Sequence, residues 1–203
     1  MDAITPKNKT EDKSKNGVTR KEAEEAVKTL IKWTGDDPNR EGLKDTPKRV
    51  INAYNEFFSG YNESPEKILS KTFDDVNGYE DIVMLKDITL HSHCEHHMVP
   101  IIGKVHLAYL PIKRVVGISK LARVVDIFAK RLQTQETMTQ QIGETIQKSL
   151  NAKGVAIYVE ALHQCMTTRG VKKEGVSTIT TCFLGEFRNN EKIENKFLNF
   201  IKS

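Results

Sequence analysis

Seven consecutive residues, His91-Ser92-His93-Cys94-Glu95-His96-His97, hold four of the chain's six histidines and one of its three cysteines. Thiolate and imidazole are the ligands zinc prefers, and a Cys-x-x-His spacing lets one tight loop present sulfur and nitrogen to a single ion. If the run entering from Ile88 is extended, side chains alternate, so Cys94 shares a face with Ser92 and Leu90 while His91 and His93 point away. His96 and His97 are then the candidate second ligands. The other comparable pairing is His163-Gln164-Cys165, and Cys182 is the remaining thiol. Cys94, one of His96 and His97, and Cys165 would leave a fourth position for water, the arrangement of a catalytic site; Cys182 as a fourth ligand would close the shell and make the site structural. A chain that binds no metal is the third reading.

A second group suits an anion. Ser119 stands where a helix N-cap belongs, and Lys120 and Arg123, three apart, share one side of the first turn. Backbone N–H groups, the positive end of the helix dipole and two cations make a phosphate site, whereas the same residues on a solvated basic face would do nothing. Arg49 and Arg169 are further phosphate candidates. Glu136, in a first helical turn, is explained by the dipole, but a carboxylate also accepts paired N–H bonds such as the base-pairing edge of guanine offers. His163, two residues before a candidate thiolate, suits either proton transfer near a metal or a structural role. Cys182, in Thr180-Thr181-Cys182-Phe183-Leu184, reads as a buried strand cysteine.

The chain of 203 residues is 38% hydrophobic and 29% charged, a balance that fits a soluble globular protein with its own core. No apolar run reaches membrane-spanning length and the N-terminus lacks a signal-peptide pattern, so a cytoplasmic protein is expected, with neither membrane nor nucleic acid as partner. The net charge of +4 is modest and its signs are interspersed. Three cysteines, two beside histidines, fit reduced thiols for metal better than a disulfide framework.

Residues 1–18 are polar and should form a disordered tail. A capping box at Thr19-Arg20-Lys21-Glu22 opens an amphipathic helix ending near Gly35, and Thr46-Pro47 opens a second that stops at Gly60. A short third helix starts at Ser64-Pro65. Residues 19–75 thus make an N-terminal helical region. Strand patterning begins at Asp81 and leads into the histidine cluster; a second strand follows Gly103 and closes at Pro111, with the hairpin turn expected at Pro100–Gly103. A helix runs from Gly117 through Leu132, another from about Glu136 to Leu150, then strands Val155–Glu160 and Val176–Phe187, and a last helix from Glu191. Residues 76–203 are expected to form a second domain, which carries the candidate metal and anion residues. The class is α+β, an antiparallel sheet with two helices on one face, and its open edges predict oligomerisation.

Cys94-Glu95-His96-His97, Gly117-Ile118-Ser119-Lys120-Leu121-Ala122-Arg123, Gln135-Glu136, and His163-Gln164-Cys165 through Thr168-Arg169-Gly170 together resemble the GTP cyclohydrolase I family, in order, from about Thr46 to the C-terminus. The resemblance implies a zinc hydrolase converting GTP and water to 7,8-dihydroneopterin triphosphate and formate, the first step of pterin and folate synthesis. It implies the tunnelling fold, with subunit sheets joined into a barrel, and a homodecamer with active sites between subunits. It assigns Cys94, His97 and Cys165 to zinc, His96 and His163 to proton transfer, and Ser119 to catalysis near the ribose. It gives Glu136, with Gln135 beside it, to the guanine, and Lys120, Arg123, Arg169 and Arg49 to the triphosphate. The alternative is a purine-nucleotide-binding or scaffolding protein with a structural zinc.

Overall fold

The computed structural model describes residues 16–73, 79–113 and 115–203, so the tail expected over 1–18 lies, up to residue 15, outside the described residues. The chain divides into two compact units, Met1–Glu56 and Phe57–Ser203. In the first, α1 (Arg20–Trp33) opens on the expected capping box: the Thr19 side chain accepts from Glu22 N, and the Glu22 carboxylate accepts from Thr19 N at 2.7 Å. Arg20 Nη2 donates to Asn52 Oδ1 at 2.8 Å, tying α1 to α2 (Thr46–Phe57), the helix that leads out of this unit.

The second unit continues through α3 (Pro65–Leu69), β1 (Thr72–Phe73), β2 (Val83–Cys94), β3 (Pro100–Leu110), β4 (Val115–Val116) and α4 (Ile118–Ala129). There follow β5 (Leu132–Gln133), α5 (Gln135–Leu150), β6 (Gly154–His163), α6 (Gln164–Thr167), β7 (Ser177–Gly185), α7 (Glu186–Asn189) and α8 (Glu191–Lys202). The main sheet has the order β5-β2-β3-β6-β7, antiparallel except where β5 lies parallel to the end of β2. Strand alternation sends Leu90, Val105 and Val159 to one face, where Leu121 and Val125 of α4 and Met138 and Ile142 of α5 cover them. These are the two helices expected on one face.

The other face is also covered at one end. Ala108 and Ala156, small residues on neighbouring strands, leave room for Phe187 of α7 and Phe197 of α8, whose rings meet edge-on at 5.9 Å. The sequence placed the C-terminal helix but gave no face to it.

Two boundaries differ from expectation. β3 begins at Pro100, so the hairpin turn is not Pro100–Gly103 but the stretch after Cys94: Cys94 N donates to Val99 O at 2.9 Å and Met98, at φ 55°, donates from N to Cys94 O at 2.8 Å. Gly103 is inside the strand because β6 crosses close beside it; a Cβ there would lie 2.1 Å from Glu160 O. Gly103→Ala should therefore lower stability by about 1–3 kcal/mol, seen as a reduced denaturant midpoint, as expected of overpacking against backbone. Likewise the helix expected to run through Leu132 stops at Ala129, since Lys130 O accepts from Gly60 N at 3.1 Å and Leu132 joins the sheet beside His93.

Candidate metal centre

The turn at the end of β2 and the short α6 at the end of β6 meet at the same end of the sheet. Cys94 closes β2 on the helix-covered face, 4% exposed, and its neighbour across the parallel pairing is Gln133 of β5. Gln133 O accepts from Glu95 N at 3.1 Å, which fixes the start of the turn carrying His96 and His97. β6 runs out at His163 directly into α6, on which Cys165 sits.

Cys94 Sγ, one ring nitrogen of His97 and Cys165 Sγ lie within 4.8 Å of one another. The Cys94 Sγ to His97 Nδ1 distance is 3.6 Å. A sulfur at about 2.3 Å and a nitrogen at about 2.0 Å from one tetrahedral ion stand about 3.6 Å apart, so the donor set and spacing fit zinc. Burial, reinforced by the adjacent Cys94 thiol, raises the Cys165 pKa. His96 Nδ1 is 3.9 Å from Cys94 Sγ, but its ring is exposed, with Nε2 3.8 Å from Glu95 Oε1, and it is outside the three-residue group. Cys182 is outside it too: it is buried on β7 against Gly143 of α5, where an added Cβ would come within 2.7 Å of its sulfur. A closed shell that includes Cys182 has no support from this geometry.

His163 lies beside the group on the same face, opposite Ile101 of β3. Its Nε2 is 2.7 Å from Oε1 of Gln135, the first residue of α5. Burial lowers the His163 pKa and the negative charge of Glu136, next on the helix, partly offsets this. The guanine candidate and the proton-transfer candidate therefore share one electrostatic neighbourhood. Gln135 itself is 1% exposed, with its side chain turned into the protein rather than outward.

Arg169, just past α6, is the cationic candidate whose described contacts touch the group, through Nη1 at 2.9 Å from His97 Nε2. Ser119 does not cap α4: Gly117 holds the N-cap position, and Ser119 is an exposed residue of the first turn. Arg123 is exposed on the next turn, and Lys120 Nζ donates to Lys71 O. Arg49 belongs to the first unit, with Nη2 3.8 Å from Asp45 Oδ2.

Among the remaining histidines, His93 points away from the cysteine face, as pleating requires, and packs on Phe57 and Phe58 with centroids at 4.7 and 5.3 Å. The sequence did not single out Gln133, Thr139 or Thr180 as support for the site. Their hydrogen bonds join segments far apart in the chain, so no local pattern marks them.

Two cysteines and a histidine, with a second histidine beside them, form a donor set that could hold a metal ion on an α+β scaffold. Comparison with known proteins makes this specific. The GTP cyclohydrolase I family profile matches residues 23–202. Proteins named GTP cyclohydrolase 1 are 60% identical over 200 residues in Hyphomonas neptunium, covering 98% of this chain and 97% of the relative, and 58% identical over 203 residues in Maricaulis maris, covering 100% and 99%. A third, from Pelagibacter ubique, is 58% identical over 184 residues, or 91% of each chain. The chain belongs to the GTP cyclohydrolase I family of enzymes.

Proposed function

We propose that the protein converts GTP and water to 7,8-dihydroneopterin triphosphate and formate, using zinc held by Cys94, His97 and Cys165. The observation that carries this reading is the convergence of those three donors within 4.8 Å, beside His163, in a chain of this family.

Zinc, when bound, supplies Lewis acidity that makes a water nucleophilic at neutral pH. The chain's own groups do the rest. Glu136 accepts the paired N–H donors of the guanine edge and so fixes the purine beside His163. His163 takes and returns protons as the five-membered ring opens and the formyl group leaves, and the exposed His96 serves the same chemistry from the other motif. Ser119 acts near the ribose during its rearrangement. Lys120, Arg123 and Arg169 hold the triphosphate, and contacts remote from the reacting carbon keep the base in register. Arg169 also lies 2.9 Å from His97, which supports a triphosphate site beside the proposed metal ligands.

The catalytic region is residues 76–203, preceded by the helical region 19–75. β7 is an edge of the sheet, and an edge strand pairs readily with another chain. This supports joining of subunit sheets into the barrel of a tunnelling fold and a homodecamer whose active sites lie between subunits. Among the described residues no helix is long and apolar enough to cross a membrane, and all three cysteines are unpaired, which suits work in the cytoplasm.

The test is to incubate zinc-replete protein with GTP, oxidise the product, and assay pterin fluorescence and formate beside a chelator-treated control. Both products should form in a zinc-dependent manner. Folded protein of confirmed zinc content that yields neither would overturn the reading.

A further inference from the structure

The family resemblance sets Gln135 beside the guanine, and its carboxamide is committed to the protein. Nε2 lies 2.9 Å from Thr178 O, 3.3 Å from Val159 O and 3.2 Å from Thr180 Oγ1, while Oε1 faces His163 Nε2 at 2.7 Å. Two of those three partners are backbone carbonyls, which only accept, so the NH2 group must face them and the amide orientation is fixed. The hydroxyls agree. Thr139 donates to Gln135 O at 2.7 Å, which uses its one proton; the 2.7 Å contact between Thr139 and Thr180 must then be Thr180 donating, and Thr180 Oγ1 is left to accept from Gln135.

The NH2 group has two protons for three acceptors, so one bond is shared, but every partner on that side accepts and the amide's orientation stands. Gln135 Oε1 can therefore only accept, and the His163 bond must run from Nε2–H to Gln135. A neutral His163 then carries its proton on Nε2 and its lone pair on Nδ1. No group among the described residues bonds that Nδ1.

We propose that Gln135 is a positioning residue, anchored by β6, β7 and Thr139, that holds the His163 ring with Nε2–H inward and so makes Nδ1 the nitrogen that exchanges protons with the substrate. This rests on the proton-transfer role given to His163. The same helical turn then does two things: Glu136, facing outward, meets the base, while Gln135, facing inward, aims the histidine. The base and the proton carrier are registered to one another by adjacent residues of α5.

The first experiment is ring-15N NMR on zinc-loaded protein labelled at histidine, with the His163 signals identified by their loss in His163→Ala. The Nε2–H form should dominate; a neutral ring protonated on Nδ1 would overturn the proposal without any variant of Gln135. The second is a double-mutant cycle on turnover with Gln135→Met. That variant should keep its zinc and a KM for GTP within about threefold, while kcat falls about 10- to 100-fold, a part of the usual general acid–base contribution. In the His163→Ala background the same change should cost nothing further. An equal loss in both backgrounds, or a kcat within about twofold of the parent, would show that Gln135 does not act through His163. Absence of turnover in the parent protein would instead refute the proposed reaction, and the NMR result would still decide the ring's orientation.

Discussion

Cys94→Ala is expected to purify with little bound zinc and to lose turnover of GTP by at least about a thousandfold, the scale of several kcal/mol of transition-state stabilisation. Two protein ligands do not hold a tetrahedral ion as three do, and the lost thiolate is one of the two charges that offset the cation. Cys94 is also firmly built into the fold: it ends β2, is buried to 4% exposure, and its N–H and C=O close the turn that carries His97. The sulfur takes no part in those turn bonds, so alanine leaves the hairpin intact and the effect is read at the metal. Cys165→Ala should behave alike. Cys182→Ser is the control: that sulfur is packed on Gly143, so zinc content should be unchanged even if stability falls. Metal analysis on the three purified variants gives the answer directly, and a Cys94→Ala protein with full zinc would mean that the ligand set is wrong.

The sequence was legible where one residue's environment is set by its near neighbours. The α4 stripe of Leu121, Val124, Val125 and Phe128 is buried as its spacing requires, and Thr19 and Glu22 form their capping box. It was illegible where the deciding group comes from elsewhere in the chain. Pro100 and Gly103 look like a turn, but Gly103 answers to Glu160 on a strand more distant in sequence, and that close approach makes glycine necessary inside the strand. Leu132 fits the helical stripe of α4, yet its backbone pairs with β2.

The site divides in the same way. The Cys-x-x-His spacing named its own turn, and it left His96 and His97 equal because both follow Cys94 at a reach compatible with ligation. The position of Cys165, brought in by β6, is what separates them: His97 and not His96 joins the pair of cysteines. Gln135, polar and beside Glu136, carries no local sign of the Val159 and Thr178 carbonyls that claim its amide.

His163→Ala gives the complementary result to the cysteine variants. It should keep zinc and a near-normal KM for GTP while kcat falls by about 10²- to 10⁴-fold, the usual contribution of a positioned acid or base. The reasoning is geometric: His163 precedes Cys165 by two residues, yet its Nε2 is taken by Gln135 and its ring is not one of the three clustered donors. Burial lowers its pKa from the usual histidine value, with Glu136 opposing, which favours the neutral form that can accept a proton. Zinc content and steady-state kinetics on one preparation separate the outcomes. Loss of metal in His163→Ala would make the histidine a ligand or a prop for one, and unchanged kcat would remove it from the chemistry. Full zinc with slow turnover is the result that places proton transfer on a side chain the metal does not use, and it is then the backbone of β6, continuous from His163 into α6, that keeps proton carrier and metal ligand at a fixed separation.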